Sequence, residues 1–282
     1  MSLRRLILLI PFLAVLFGPV TRAELEIGGV DDGVPMPAFL PPEERGAGFV
    51  PGERLEFHGG WGIFSDIAKI IVTTGEGVEE NQGVFHIVSL ASTKGIIRAI
   101  YPADTRTDTL LDPRAWTLLS SRLVGRSGKD DNKSLTQIDY ENGVVRHNDE
   151  IKTEASYVQP LPMSPVLDYM SAVFQMRGLP LQPGSTFPIF VQGGGKFYFV
   201  HVDVTGIEEI KTALGRVSCF ILKPRMDKPT GIFARGGGVT LWITNDPHRL
   251  PIRADVNLGF GTARLRLDRY EPPEGEARGK SR

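Results

Sequence analysis

The chain has 282 residues, 41% hydrophobic and 23% charged, with a formal net charge of -1 and one cysteine. That balance gives no electrostatic basis for holding nucleic acid or anionic lipid headgroups, and a single thiol excludes an intrachain disulfide framework. The apolar content suffices for a core without staples, since a domain of roughly 200 residues buries about 70% of its unfolded surface.

Arg4 and Arg5 precede an apolar run, Leu6 to Val20, that is broken by Pro11, Gly18 and Pro19. Thr21-Arg22-Ala23 then puts small residues at both cleavage positions before Glu24. Residues 1–23 are read as a cleaved export signal, because the apolar run is shorter than the roughly 18 to 20 residues that cross a bilayer. Losing it removes three arginines and no acid, which takes the net charge from -1 to -4. No cysteine follows to carry a lipid. The expected address is the periplasm or the outside of the cell, with no integral membrane span after cleavage.

Residues 24–50, with Gly28-Gly29, Pro35, Pro37 and Pro41-Pro42, show neither helical nor strand periodicity and read as a flexible tether. Residues 51–271 read as one β-rich domain, and 272–282 as a charged, disordered tail. Within the domain, strands are expected at Arg54–Phe57, Ala68–Thr74, Val84–Ala91, Thr117–Val124, Ser134–Tyr140 and Val144–His147. Asp104, Thr107-Asp108 and Asp112 between them read as turn formers. Gly128 to Lys133 is acidic but lacks the ligand ladder of a calcium loop, so it reads as a hairpin tip.

Ser164-Pro165 reads as a helix start, with Gly178 and Pro180 as its end. Between them Leu167, Met170 and Phe174 repeat at helical spacing, as do Val166, Tyr169, Val173 and Met176. A helix this apolar needs cover on several sides, so it is expected to plug a curved sheet or a barrel mouth. Arg177 is expected to cap its C-terminal carbonyls or to pair with an acid such as Asp246 or Glu209. Strands resume at Tyr198–Val204, Arg216–Leu222, Val239–Thr244 and Arg253–Leu258, and Gly259-Phe260-Gly261 turns the chain into a last strand in which Ala263, Leu265 and Leu267 alternate with Arg264, Arg266 and Asp268. The predicted fold is mainly β: an antiparallel curved sheet or barrel-like roll with one mostly apolar helix packed in or across it.

No nucleophile elbow and no HExxH helix occurs. Gly193–Gly195 and Gly236–Gly238 lack the spacing of a phosphate loop and read as turns. His201 and Asp203 share a strand face, but two ligands make an incomplete metal site, so no metal and no cofactor is expected. Cys219, within Val217-Ser218-Cys219-Phe220-Ile221, reads as a small buried strand residue. Trp61 among glycines and Trp242 between threonines are aromatics that could line a ligand surface.

Several stretches together resemble a family of exported bacterial proteins, domain of unknown function 3108 (DUF3108). They are Pro51-Gly52-Glu53-Arg54-Leu55 with Trp61, the run from Asp168 through Ser171-Ala172, Phe174 and Met176-Arg177 to Pro180-Leu181, Gly206 to Gly215, and Leu241-Trp242-Ile243-Thr244 with Asp246 and Arg249-Leu250-Pro251-Ile252. The resemblance implies export and a β-rich, barrel-like sheet, and it brings no catalytic residue or cofactor. The expected function is a non-catalytic envelope protein that binds an apolar or amphipathic ligand or an assembly partner, with Trp61, Asp168, Arg177, Trp242 and Asp246 as candidate ligand-binding residues. A glycan-acting hydrolase or lyase centred on Asp168 or Asp246, and a structural module without a pocket, are the alternatives.

Overall fold

The computed structural model describes residues 27–28, 38–77, 83–193, 196–229, 233, 237–257 and 261–274. The expected signal, the first part of the expected tether apart from Ile27–Gly28, most of the tail, Gly194-Gly195, Gly236 and the Gly259-Phe260 turn lie outside them.

Fifteen strands form one sheet among the described residues. In chain order they are β1 (Ile27–Gly28), β2 (Arg54–Trp61), β3 (Phe64–Glu76), β4 (Phe85–Thr93), β5 (Ala103–Asp112), β6 (Thr117–Ser127), β7 (Asp130–Asp139), β8 (Val144–Asp149), β9 (Tyr157–Pro160), β10 (Thr186–Gly193), β11 (Lys196–Thr212), β12 (Gly215–Arg225), β13 (Gly238–Thr244), β14 (Pro251–Asn257) and β15 (Thr262–Glu271). Two α-helices accompany them, α1 (Gly95–Ile100) and α2 (Tyr169–Arg177).

Apart from the short parallel contact of β1 with β11, the sheet is an antiparallel meander. It runs from β10 through β11 to β15, crosses to β2 because β15 pairs with β2, and continues through β9. Its two outer strands, β10 and β9, are brought together by curvature. Leu118, Ile138 and Val145 of β6 to β8 pack in one cluster with Phe190, Phe197 and Phe199 of β10 and β11. Extended backbone spans the remaining gap: Leu118 N donates to Val166 O (2.8 Å), Leu167 N to Phe190 O (3.0 Å), and Gln192 N to Leu167 O (2.7 Å).

Those bonds move the helix start. Val166 and Leu167 are held extended by β6 and β10, so Ser164-Pro165 cannot begin the helix, and Asp168 is the N-cap. Ser171 N donates to Asp168 Oδ1 (2.7 Å) while Asp168 N donates to Ser171 Oγ (2.9 Å), which makes a capping box. The helix then lies between two apolar clusters. Ala172 and Met176 face β10 to β13, and Phe174 faces β2 to β5. Burying a side chain such as Phe174 or Met176 contributes about 1.5 to 3 kcal/mol. The plug expected from the sequence is therefore present, and its cover is the curved sheet itself.

Three further expectations change. Asp104, Thr107, Asp108 and Asp112 belong to β5, not to turns: β5 pairs with β4 and β6, and Asp104 and Asp108 take Arg98 and Arg106 as partners. Strands β9 and β10 had no sequence signal. Residues 38–50, read as part of the tether, pack on the domain. Phe49 lies 5.2 Å from Phe85, 6.0 Å from Trp116 and 6.5 Å from Phe174, centroid to centroid, and Gly46 N donates to Gly178 O (2.7 Å). A Cβ at Gly48 would lie 2.6 Å from Phe174 O, so only glycine lets the segment approach the helix.

Candidate functional site

The five residues singled out in the sequence do not form one site. Asp168 accepts from Ser171 N and Ser171 Oγ on one oxygen and from Thr109 Oγ1 (2.6 Å) on the other, which ties the helix cap to β5. Arg177 pairs with neither Asp246 nor Glu209. Its Nη1 and Nη2 donate to Glu53 Oε2 (2.6 Å) and Oε1 (2.8 Å), with both side chains 1% exposed. The same guanidinium donates to His248 O and Arg249 O, and Tyr270 OH donates to Glu53 Oε1 (2.9 Å). The partner is Glu53 because it lies at the start of β2, where the sheet passes the end of α2; 124 residues separate the two, so no local pattern announces the pair.

Asp246 shapes a turn: Oδ1 accepts from Thr244 Oγ1, His248 N and Arg249 N. Trp61 and Trp242 are buried rather than displayed. Trp242 Nε1 donates to Glu208 Oε1, and the Arg253 guanidinium lies 4.3 Å over its ring. His201 contacts Asp227 (3.2 Å), whereas Asp203 accepts from Thr186 and Arg225. The described residues hold no cluster of three metal-ligating side chains. Cys219 is fully buried in β12, and burial pushes its thiol pKa up to about 11, with Asp246 and Glu208 adding to the rise.

A different constellation crosses five adjacent strands on the core-facing side of β5 to β9. Register places Thr109 opposite Ser121, Ser121 opposite Thr136, Thr136 opposite His147, and His147 opposite Tyr157. The row begins at the Asp168 carboxylate through Thr109 and ends at Gln192 Nε2, which donates to Tyr157 OH (3.4 Å). Within it Thr136 Oγ1 and His147 Nδ1 are 2.8 Å apart, and the His147 ring stacks on Tyr157 at 5.0 Å. Burial lowers the His147 pKa, opposed by the charge of Asp149, and burial raises that of Tyr157 to about 12. Both rings are thereby kept neutral. Thr107, Leu123 and Ser134 form the next row on this face and, like Ser121 and Tyr157, are half-buried.

On the core side of β2 to β4 and β15, the corresponding positions are Leu55, Ile70, Val72, Phe85, Ile87 and Leu267, all buried in one apolar cluster. The change from apolar to hydroxyl-bearing wall falls between Ile87 and Thr109, which are opposite one another. One side of the rolled sheet is therefore lined by apolar side chains packed on Phe49 and Phe174, and the other carries a row of neutral hydrogen-bonding groups among Leu118, Leu123, Ile138 and Val145. Sequence reasoning missed this row. Its signal was the alternation Thr105, Thr107, Thr109, hidden by the equally polar Asp104, Arg106 and Asp108 between them.

The sequence profile of the DUF3108 family, described as proteins of unknown function, matches residues 57–268. The chain belongs to that family. Among solved structures, this DUF3108 domain is similar to a β-barrel-like protein of domain of unknown function DUF1849 from Brucella abortus, with a TM-score of 0.53 at 9% identity over 79% of this chain and 98% of that one. That likeness shows the barrel-like fold alone. Looser similarities link it to a protein described as exported, with a YmcC-like fold, from Bacteroides fragilis (TM-score 0.32, 13% identity, 83% of this chain and 98% of that one). A protein described as a lipoprotein from Parabacteroides distasonis gives a TM-score of 0.29 at 10% identity, over 80% and 99%. No curated protein matches the chain. No helix among the described residues is long and apolar enough to cross a membrane.

Proposed function

We propose that this protein is an exported, non-catalytic envelope component that binds an amphipathic ligand inside its rolled sheet. The observation that carries the reading is the two-sided interior. A ligand with a polar end would set that end against Thr107, Ser121, Ser134 and Tyr157, where neutral hydroxyls supply hydrogen bonds without the cost of burying a charge. Its apolar part would enter beside Ile87 and Phe85 by displacing Phe49 from its packing on Phe85 and Phe174. Such a combination of apolar lining and a few placed polar groups is the usual character of small-molecule sites. Export rests on the charged, apolar and small-residue segments of residues 1–23.

The glycan-enzyme reading loses support because Asp168 and Asp246 are both engaged by donors of their own turns. Native mass spectrometry on protein purified from its own envelope tests the proposal. A retained amphipathic mass is expected, together with a fluorescent fatty acid displaced by it and bound less well by a Thr107→Val/Ser121→Val/Ser134→Val variant. Protein that emerges without ligand and leaves the fatty-acid probe free would refute it.

A further inference from the structure

Basic residues come into register on the other face of the sheet. Arg253 of β14 lies opposite Arg266 of β15, Arg266 opposite His58 of β2, and His58 opposite Lys69 of β3. Like charges directly opposite one another destabilise a sheet, so such a row needs a compensating partner. Part of it is compensated. Lys69 pairs with Glu56 (2.7 Å), and His58 lies 3.7 Å from Asp268. Arg253 and Arg264 both donate to the single carboxylate of Asp255, which lies opposite Arg264. The Arg253 guanidinium also lies 4.3 Å over the Trp242 ring, whose Nε1 donates to Glu208, and the Glu208 charge acts on Arg253 as well.

Arg266 differs. It is exposed, and among the described residues it has no ion-pair partner. Its pKa is lowered by partial desolvation and then by the charges of Arg264 and Arg253, with Asp255 acting the other way. Arg253, Arg264 and Arg266 thus stand against two carboxylates, Asp255 and the Glu208 that acts on Arg253, and leave a local excess of one positive charge centred on Arg266, although the chain as a whole is slightly acidic. A carboxylate ligand brings one charge and two oxygens, as Asp255 does for Arg253 and Arg264. A phosphoryl group has the charge and the number of oxygens to accept from several forks at once.

We propose that Arg266, together with Arg264 and Arg253, forms a surface site for a phosphoryl group, either on a free solute or on a lipid headgroup. The site stands apart from the interior wall and does not depend on the ligand proposed there.

Isothermal titration with inorganic phosphate, and flotation with phosphatidylglycerol or phosphatidylcholine vesicles, test it on the full chain. Binding that weakens with salt is expected, reduced about tenfold or more in Arg266→Gln as a charge-assisted contact is lost. The melting temperature of that variant should hold or rise, since the Arg253–Arg266 repulsion is removed. Binding of phosphate ion supports a solute source. Binding of phosphatidylglycerol vesicles without phosphate ion or phosphatidylcholine supports a headgroup. Absence of both, equal binding by Arg266→Gln, or a lowered melting temperature in that variant would overturn the assignment.

Discussion

Replacing Arg177 with methionine tests whether the buried ion pair holds α2 in the sheet or serves a ligand. The guanidinium makes four hydrogen bonds, two to Glu53 and one each to His248 O and Arg249 O. The methionine side chain would keep much of the stem's packing and leave the Glu53 carboxylate buried with Tyr270 OH as its remaining side-chain donor among the described residues. Breaking a buried pair in this way costs about 3 to 5 kcal/mol, a large fraction of the roughly 5 to 15 kcal/mol that holds a domain together. The carbonyls of His248 and Arg249 lose a donor as well, but water can reach that turn and return part of the loss. Urea denaturation followed by tryptophan fluorescence reads the difference as a shift in midpoint. The double variant Arg177→Met/Glu53→Met removes both charges and should recover much of the loss, because replacing a buried pair with apolar groups is often close to neutral. A single variant less than about 1 kcal/mol below wild type, the scale of an exposed pair, would refute the reasoning. So would a double variant no better than the single. Unchanged stability with loss of the ligand retained in the envelope would instead make Arg177 a binding residue.

Two further outcomes follow from buried titrating groups. Cys219 should resist thiol reagents at pH 8 in the native protein and react on unfolding, because its pKa lies near 11 and its side chain is covered; Cys219→Ala should cost about 1 to 2 kcal/mol without changing the oligomeric state. For His147 the folded pKa is lowered below the ordinary 6.5, so the unfolded chain binds the proton first. Its contribution to stability is complete above about pH 6.5 and diminishes as the pH falls toward the folded value. Urea midpoints at pH 7.5 and 5.5 should therefore differ less in His147→Gln than in the wild type, and an identical pH slope would refute the assignment.

Much of the fold was legible because apolar and polar residues alternate where one side of a strand meets the core. β15 is the clear case, with Ala263, Leu265 and Leu267 on one side and Arg264, Arg266 and Asp268 on the other. The helix was legible from its apolar repeat, but its start was not. Ser164-Pro165 has the composition of a cap, and the tertiary bonds of Val166 and Leu167 to β6 and β10 override it, leaving Asp168 and Ser171 as the actual capping box. Local propensity loses there to sheet closure. The Glu53–Arg177 pair was illegible for a simpler reason, since it joins two parts of the chain that only the completed roll brings together.

The failure at β5 has a more specific cause. A strand is recognised by hydropathy only when its core side is apolar, and between the buried Ala103 and Leu111 the core side of β5 is Thr105, Thr107 and Thr109, two of them buried. With Asp104, Arg106 and Asp108 on the other side, the segment is polar throughout and resembles a loop. The same residues that erase the strand signal begin the hydroxyl row leading through Ser121 and Thr136 to His147 and Tyr157. The missed strand and the missed hydroxyl row are thus one observation. Where a rolled sheet accepts threonine, histidine and tyrosine on its inner side in place of valine or leucine, it gives up apolar burial worth about 25 cal/mol per Å². Departures of this kind, in which local rules fail while the global fold holds, concentrate at functional positions. That is the physical reason for placing the ligand's polar end against β5 to β9, and the valine substitutions at Thr107, Ser121 and Ser134 separate the two contributions. If the wall serves a ligand, those variants should melt at or above the wild-type temperature while binding less.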